Sequence, residues 1–507
     1  MLSMRQYLVF LVIFSFFLPL GLYPLFDLDE GTFSEATREM LANGNYLTAY
    51  LQGQLHFDKP ILIYWLQALA TQVFGFHEWA LRLPSAFATT TWAYILYRFC
   101  RFHLNGSKAL TATILFVSCL HINLIGKSAI CDALLNLCIS TTMLSLFHYT
   151  HTQDRRYMYL FYISSGVGVL TKGPIALLIP CAVLLIFSLC QNTTKYIRAL
   201  LNIQGLFLFA TIVLPWYLAE YFDHGDAFVQ DFFIKHNLGR FLHPLNQQSG
   251  FFGYYLPVLL LGTMPFTGLL IQSLRKLPQD INTPLLQYMA IWFGFVFLFF
   301  SISSTKLPHY LVYGYTPLFV LMAYYNDGST AKSWFVIPLA LIFTLLISIP
   351  FLFSYSLYWI QAPYLLAISE DVLRVFSHSY QLQILLCAFG AIAPWYANED
   401  LSLHQRLLLS GFFFSIAINF IVTPLVASIE QLPIKHAASY VRHNPQTVKE
   451  YGFSVPSFSV YSEQIMYPNV PTKGDTVLLR ANHLEDFQNY SILFYENGIY
   501  LIRLTQD

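Results

Sequence analysis

Charge is what this sequence has least of. Only 11% of its 507 residues are Asp, Glu, Lys or Arg, against 56% apolar residues, and the formal net charge is zero. A soluble domain carries about 25% charged residues, so the chain lacks the polar coat of a water-facing globule. It also lacks a basic surface, which excludes a nucleic-acid binder, and its apolar content excludes a disordered chain. Metal-site spacings are missing as well: no CxxC, HxxxH or HExxH occurs. The seven cysteines lie mostly inside apolar runs, where Cys packs as a small hydrophobe, and an odd, scattered set makes a poor disulfide framework.

What is present is apolar length. Runs long enough to cross a bilayer recur along the chain: 1–26, 79–100, 108–126, 130–150, 157–172, 174–190, 201–221, 252–273, 284–302, 308–325, 333–354, 380–397 and 405–428. The expectation is an all-α polytopic membrane protein of about 13 transmembrane helices over 1–428. The first run has no A-x-A cleavage signal and reads as a retained helix. With the N-terminus inside, the short inner connectors hold twelve Lys and Arg and the outer segments nine, a positive-inside bias. Carboxylates lean the other way: five inside, among them Asp327, Glu399 and Asp400, and fourteen outside. Both signs of charge gather in the long outer loops 27–78 and 222–251. The working face is therefore expected to be the outer one.

Residues 429–507 differ in kind, with 14 charged residues in 79 against 40 in the preceding 428. Turn signals at Pro456, Pro468-Asn469 and Glu496-Asn497-Gly498, with β-rich runs Phe458–Tyr461, Thr476–Leu479 and Ile499–Leu504, predict a small extracytoplasmic α/β domain. It carries no catalytic pattern and reads as a cap or acceptor-docking module.

The densest polar cluster is Asp27-Leu28-Asp29-Glu30-Gly31. It leads into Thr32–Asn43, where Phe33, Ala36, Thr37, Met40 and Leu41 mark one face of an amphipathic helix ending at Asn43-Gly44. Asp29 or Thr32 could equally cap that helix. Downstream, Asp58-Lys59-Pro60 opens a half-buried helix, and Lys59 beside a helix N-terminus suits a phosphate, or a local ion pair. Asp132 opens the fourth span, as a cavity group or as an N-cap.

The pattern Asp29-Glu30, Glu35, Arg38-Glu39-Met40, followed by Asp58-Lys59-Pro60, resembles the polytopic glycosyltransferases of the GT-C fold. Among these it is most similar to the lipid A 4-amino-4-deoxy-L-arabinose transferases and their relatives in the protein O-mannosyltransferase superfamily. Arg82-Leu83-Pro84, Cys131-Asp132-Ala133-Leu134, Leu170-Thr171-Lys172-Gly173-Pro174, Pro215-Trp216-Tyr217, His236 with Arg240-Phe241, and Ser304-Thr305-Lys306-Leu307-Pro308-His309-Tyr310 continue the match over about 20–320. The chain has Asp58 where the arabinose transferases usually have Glu. The resemblance implies an enzyme of the bacterial inner membrane, working on the periplasmic face. Its donor would be a polyprenyl-phosphate sugar, its acceptor lipid A or another envelope glycan, and transfer would invert the anomeric carbon.

Such chemistry needs cations where negative charge develops on the leaving phosphate. Lys59, Arg240, Lys172 and Lys306 are the outer-side candidates. Asp29, Asp58 and Asp132 are the catalytic candidates. Asp29 would act as base if the nucleophile is a hydroxyl; an acceptor phosphate, with a second pKa of about 6, needs only orientation. Glu30, Tyr310 and His236 are candidate substrate-binding residues. Carboxylates near His56, His236 or His309 could hold a divalent cation, and the sequence leaves the metal open. Transfer of a hexose to protein Ser/Thr or to a polysaccharide is the alternative within the fold, and a lipid or sugar transporter the alternative outside it.

Overall fold

The computed structural model describes residues 3–242, 250–326, 328, 330–360, 362–397, 401–466 and 470–505. Asp327, Glu399, Asp400 and the Pro468-Asn469 turn lie outside the described residues. Helices dominate, because backbone N–H and C=O groups inside a bilayer must pair within their own segment. Each of the thirteen apolar runs overlaps a helix. Four single helices, Ile203–His224, Pro284–Ile302, Ser333–Ser356 and Leu403–Glu430, are long and apolar enough to cross a membrane, and two bent pairs raise that number to six.

One bent pair corrects the sequence reading. The run 252–273 is not one straight span but two helices, Phe252–Gly262 and Thr267–Asp280, bent by 118°. Pro265 sits at the break, where it can donate no N–H to a continuing helix. The run 308–325 likewise begins as a 3-10 helix, Pro308–Gly314, before the α-helix Tyr315–Tyr325.

The helix Asp132–Thr152 is packed between Glu78–His103 and Arg155–Lys172, and nearly all of it is buried, hydroxyl side chains included. Those hydroxyls find partners across helices: Ser140 Oγ lies 2.6 Å from Thr316 Oγ1, and Thr142 Oγ1 lies 2.8 Å from Ser164 Oγ. Small hydroxylic residues let neighbouring helices approach closely without orphaned polar atoms.

The amphipathic helix starts three residues earlier than its pattern suggested, as Asp29–Asn43, and ends on Gly44 in the left-handed region at φ +71°. Phe33, Ala36, Thr37 and Met40 are buried, as the spacing requires. Neither Asp29 nor Thr32 caps it; Leu28 takes the N-cap position without a side-chain bond. The helix is fixed by Arg82, which is fully buried. Its Nε and Nη2 donate to the two carboxylate oxygens of Glu30 at 2.8 and 2.6 Å. Its remaining hydrogens go to the carbonyls of Leu20, Tyr23 and Pro24 at 2.8–2.9 Å. All five guanidinium donors are used, so the pair ties the chain at Leu20–Pro24, after the first helix, to the start of Asp29–Asn43.

Beyond residue 429, four strands form one sheet. Val448–Tyr451 runs parallel to Thr476–Arg480, which pairs antiparallel with Ile499–Leu504, itself antiparallel to Tyr490–Glu496. Two of the three expected β runs are strands. The third, Phe458–Tyr461, lies instead in the helix Pro456–Ser462, whose proline occupies a first-turn position where no N–H is needed. That helix packs on Asp29–Asn43. Asp27 accepts hydrogen bonds from the Ser457 backbone N–H at 3.0 Å and from the Ser457 hydroxyl.

Removing one partner of a buried ion pair leaves the other uncompensated, at a cost of about 3–5 kcal/mol. Arg82→Met should therefore lower the thermal unfolding midpoint in detergent by many degrees. A midpoint equal to wild type would show that Arg82 does not hold the loop.

Candidate active site

Asp58 and Lys59 stand just ahead of the helix Leu62–Phe74, with Pro60 one residue outside its N-cap, Ile61, rather than at the first helical position. Across from them runs an 11-residue π-helix, Val229–Gly239, which delivers His236 and hands over to Arg240. Its wider turn re-aims side chains relative to an α-helix, and both residues converge on one atom. Asp58 Oδ1 lies 2.6 Å from Arg240 Nη2, 2.9 Å from Lys59 Nζ and 2.9 Å from His236 Nδ1. Burial alone would raise the Asp58 carboxyl, but Lys59, His236 and Arg240 together hold it well below the usual carboxylate range. Burial, joined by Arg240 and Lys172, pushes the Lys59 ammonium down against the pull of Asp58.

A second ionic cluster adjoins the first. Lys172 ends the helix Arg155–Lys172, which stops at Gly173 with φ +77°. A Cβ there would stand 2.7 Å from Phe232 Cζ, so glycine is required on both counts. Lys172 Nζ donates to both oxygens of Asp132 at 2.8 and 3.0 Å, and Tyr313 OH donates to Asp132 Oδ1 at 2.6 Å. Asp132 is thus the first residue of its helix but not its cap. Residues i and i+3 eclipse in a 3-10 helix, so Tyr310 and Tyr313 stack with centroids 6.1 Å apart, and Lys172 Nζ lies 5.3 Å from the Tyr310 ring. Arg240 also bonds the Tyr310 side chain.

Two cavities meet here. One, of about 690 Å³, is lined by Asp29, Thr32, His56, Asp132 and His309, and by Gly452, Phe453, Ser454 and Pro456 from the C-terminal region. The other, of about 540 Å³, has walls of Ile175, Leu178, Leu238, Phe241, Phe299 and Phe300. Asp58, Lys59, Lys172, His236, Arg240 and Tyr310 line both and form their common wall. Asp29 is the contrast to Asp58 and Asp132. Its side chain is exposed to the polar cavity, and among the described residues it forms neither an ion pair nor a side-chain hydrogen bond.

Eight of the ten expected site residues are thus gathered. Two are not. Glu30 is spent on Arg82 and on the backbone N–H groups of Phe26 and Ala129, away from both cavities. Lys306 donates to the carbonyls of Ser301 and Ser303 at 2.8 Å, which caps the C-terminal end of the helix Pro284–Ile302 rather than facing a ligand. Tyr313 was missed, although its spacing from Tyr310 was the available signal; the Gly452–Pro456 loop had none. Among the described residues no three His, Cys, Asp or Glu side chains are grouped to hold a metal ion, so no step is derived through one.

Residues 58–218 match the family model described as dolichyl-phosphate-mannose-protein mannosyltransferase. An undecaprenyl phosphate-alpha-4-amino-4-deoxy-L-arabinose arabinosyl transferase of Aeromonas hydrophila is 32% identical over 325 residues, covering 61% of this chain and 58% of that protein. Its namesake from Aeromonas salmonicida is 33% identical over 322 residues, covering 61% and 57%. The chain therefore matches under two thirds of the length of these relatives. The crystal structure of ArnT from Cupriavidus metallidurans bound to undecaprenyl phosphate superposes with a TM-score of 0.83, covering 98% of this chain and 97% of that one, at 17% identity. The chain has the GT-C fold of ArnT. An archaeal oligosaccharyltransferase, AglB from Archaeoglobus fulgidus, is a more distant likeness, with a TM-score of 0.53 over 99% of this chain.

His56, in the wall of the polar cavity, is driven down to about 4 by burial, against the pull of Asp58. An unfolded histidine titrates near 6.5. Between those values the unfolded chain binds a proton that the native one does not, so stability falls as the pH drops through that window. By pH 5 the loss is about 2 kcal/mol. His56→Gln should flatten the fall in unfolding midpoint between pH 7 and pH 5; parallel curves for variant and wild type would contradict this.

Proposed function

We propose that the chain is a membrane glycosyltransferase. It moves a sugar, with 4-amino-4-deoxy-L-arabinose favoured, from a polyprenyl-phosphate donor to lipid A or a related envelope acceptor, inverting the anomeric carbon. The reaction takes place on the periplasmic face of the bacterial inner membrane. Residues 1–428 form the transmembrane part, of about thirteen spans, and 429–507 the periplasmic module that borders the acceptor side. The observation that carries the reading is the junction of an apolar cavity with a polar one at Lys59, Lys172 and Arg240. A prenyl phosphate is amphipathic in the same way, with a hydrocarbon tail and an anionic head at the point of reaction. The sequence relatives and the ArnT fold support it.

The chemistry follows from charge. A sugar–phosphate–prenyl diester carries one negative charge; the departing prenyl phosphate gains most of a second. Lys59 and Arg240 are placed to meet that charge as it develops, Arg240 through its planar fork and Lys59 as a point charge. Asp58 is then the counter-ion that offsets part of the charge of Lys59 and Arg240 and keeps them convergent, and Asp132 balances Lys172. Asp29 is left to act on the sugar side. It stabilises positive charge growing on the ring and orients an acceptor that, as a lipid A phosphate, is already ionised.

The unpaired Asp29 also favours a second reading, transfer to a protein or polysaccharide hydroxyl with Asp29 as base. Mass spectrometry of lipid A and of envelope glycoproteins, from cells with and without the gene, separates the two. A mass increment of an aminopentose on lipid A, present only with the gene, is expected; unchanged lipid A with altered glycoprotein would favour the second reading. Asp29→Asn should lower transfer at least about 100-fold while the protein still inserts and folds. Wild-type turnover in that variant would remove Asp29 from the reaction.

A further inference from the structure

A second hollow lies at the opposite end of the helix Glu78–His103. Arg82, at the active-site end, and Arg98 are sixteen residues apart, which is about 24 Å along a helix, most of a bilayer's hydrocarbon thickness. The hollow has a volume of about 560 Å³ and is bordered by Arg98 and Arg101 on this helix, His148 on Asp132–Thr152, and Tyr157 and Leu160 on Arg155–Lys172. Its rim is apolar and outward-facing: Tyr94 is 57% exposed and Phe102 61% exposed. Arg98 Nη1 donates to Tyr94 OH at 2.9 Å. Spaced i, i+3, the two arginines share a face, and among the described residues neither pairs with a carboxylate. The buried His148 ring is held from behind by His103, Nδ1 to Nε2 at 3.1 Å, and by Tyr157 at a centroid distance of 4.0 Å.

An indentation with apolar flanks in a lipid-facing wall fills with lipid chain, and two unneutralised guanidinium groups at its mouth select for a phosphate. We propose that this hollow is a binding site for an anionic phospholipid of the leaflet opposite the active site. The phosphate sits on Arg98 and Arg101, and an acyl chain lies along Tyr94, Ile95 and Leu160. Charge complementarity decides the occupant: among the described residues Arg98 and Arg101 line the hollow and no Asp or Glu does. The inference does not rest on the transferase reading, only on the chain spanning a membrane.

The test is native mass spectrometry of the full-length protein in detergent with added phosphatidylglycerol or phosphatidylcholine. It compares wild type with the double variants Arg98→Gln/Arg101→Gln and Arg98→Lys/Arg101→Lys, each with and without Arg240→Ala. Two cations near an anionic head are worth about tenfold or more in retention. Phosphatidylglycerol adducts should fall by that factor in the Gln pair and persist in the Lys pair and in Arg240→Ala. Phosphatidylcholine should bind weakly throughout. Equal retention in the Gln pair, loss only in Arg240→Ala, or displacement of the lipid by inorganic phosphate would each overturn the proposal.

Discussion

A single oxygen atom organises the candidate site of this molecule. Three basic side chains from two distant segments, Lys59 from one and His236 and Arg240 from the other, all approach Oδ1 of Asp58 within 2.9 Å. Lys59 and Arg240 repel each other, and in a half-dry cavity that repulsion is not screened away. Phe57 and Phe228 already pack the loop of Asp58 against the start of the π-helix segment, and the Asp58 carboxylate is what brings the basic side chains of the two together. With it, cations of the kind that suit a phosphate are held in place beforehand. A ligand anion then takes over contacts that are already formed, and little reorganisation is left for the reaction itself.

The same logic sorts the carboxylates. A buried acid with good partners is fully used: Glu30 with Arg82, Asp58 with its three bases, Asp132 with Lys172 and Tyr313. An acid that faces a cavity without a partner keeps its oxygens open to the cavity. Asp29 is that residue, and its position at the N-terminal end of a helix tolerates its charge at no cost. The difference between Asp29 and Glu30, adjacent in sequence, comes from direction alone. One residue further along a helix turns the side chain by about a quarter turn or more, out of the cavity and into the protein.

Much of this was legible in the residues. Low charge density and recurrent apolar runs gave the membrane class, and ordered polar motifs gave the cavity-lining set, because outer-side charges in apolar loops are costly unless used. What failed did so for identifiable reasons. Glu30 and Lys306 stand inside matching motifs, yet motif spacing says nothing about whether a charge is consumed by a neighbour such as Arg82 or by helix-end carbonyls. The run 252–273 has the hydropathy of one span, and hydropathy is blind to a 118° bend. Phe458–Tyr461 has β-forming residues, but Pro456 and burial against the helix Asp29–Asn43 turn them into a helix.

The central claim is that the cations grouped around Asp58 grip a prenyl phosphate. Equilibrium binding of undecaprenyl phosphate to the purified protein in detergent, for wild type and Arg240→Ala, tests it most directly. Loss of one charge-assisted phosphate contact predicts binding weaker by about tenfold or more in the variant. Unchanged affinity in a folded Arg240→Ala protein would contradict the account.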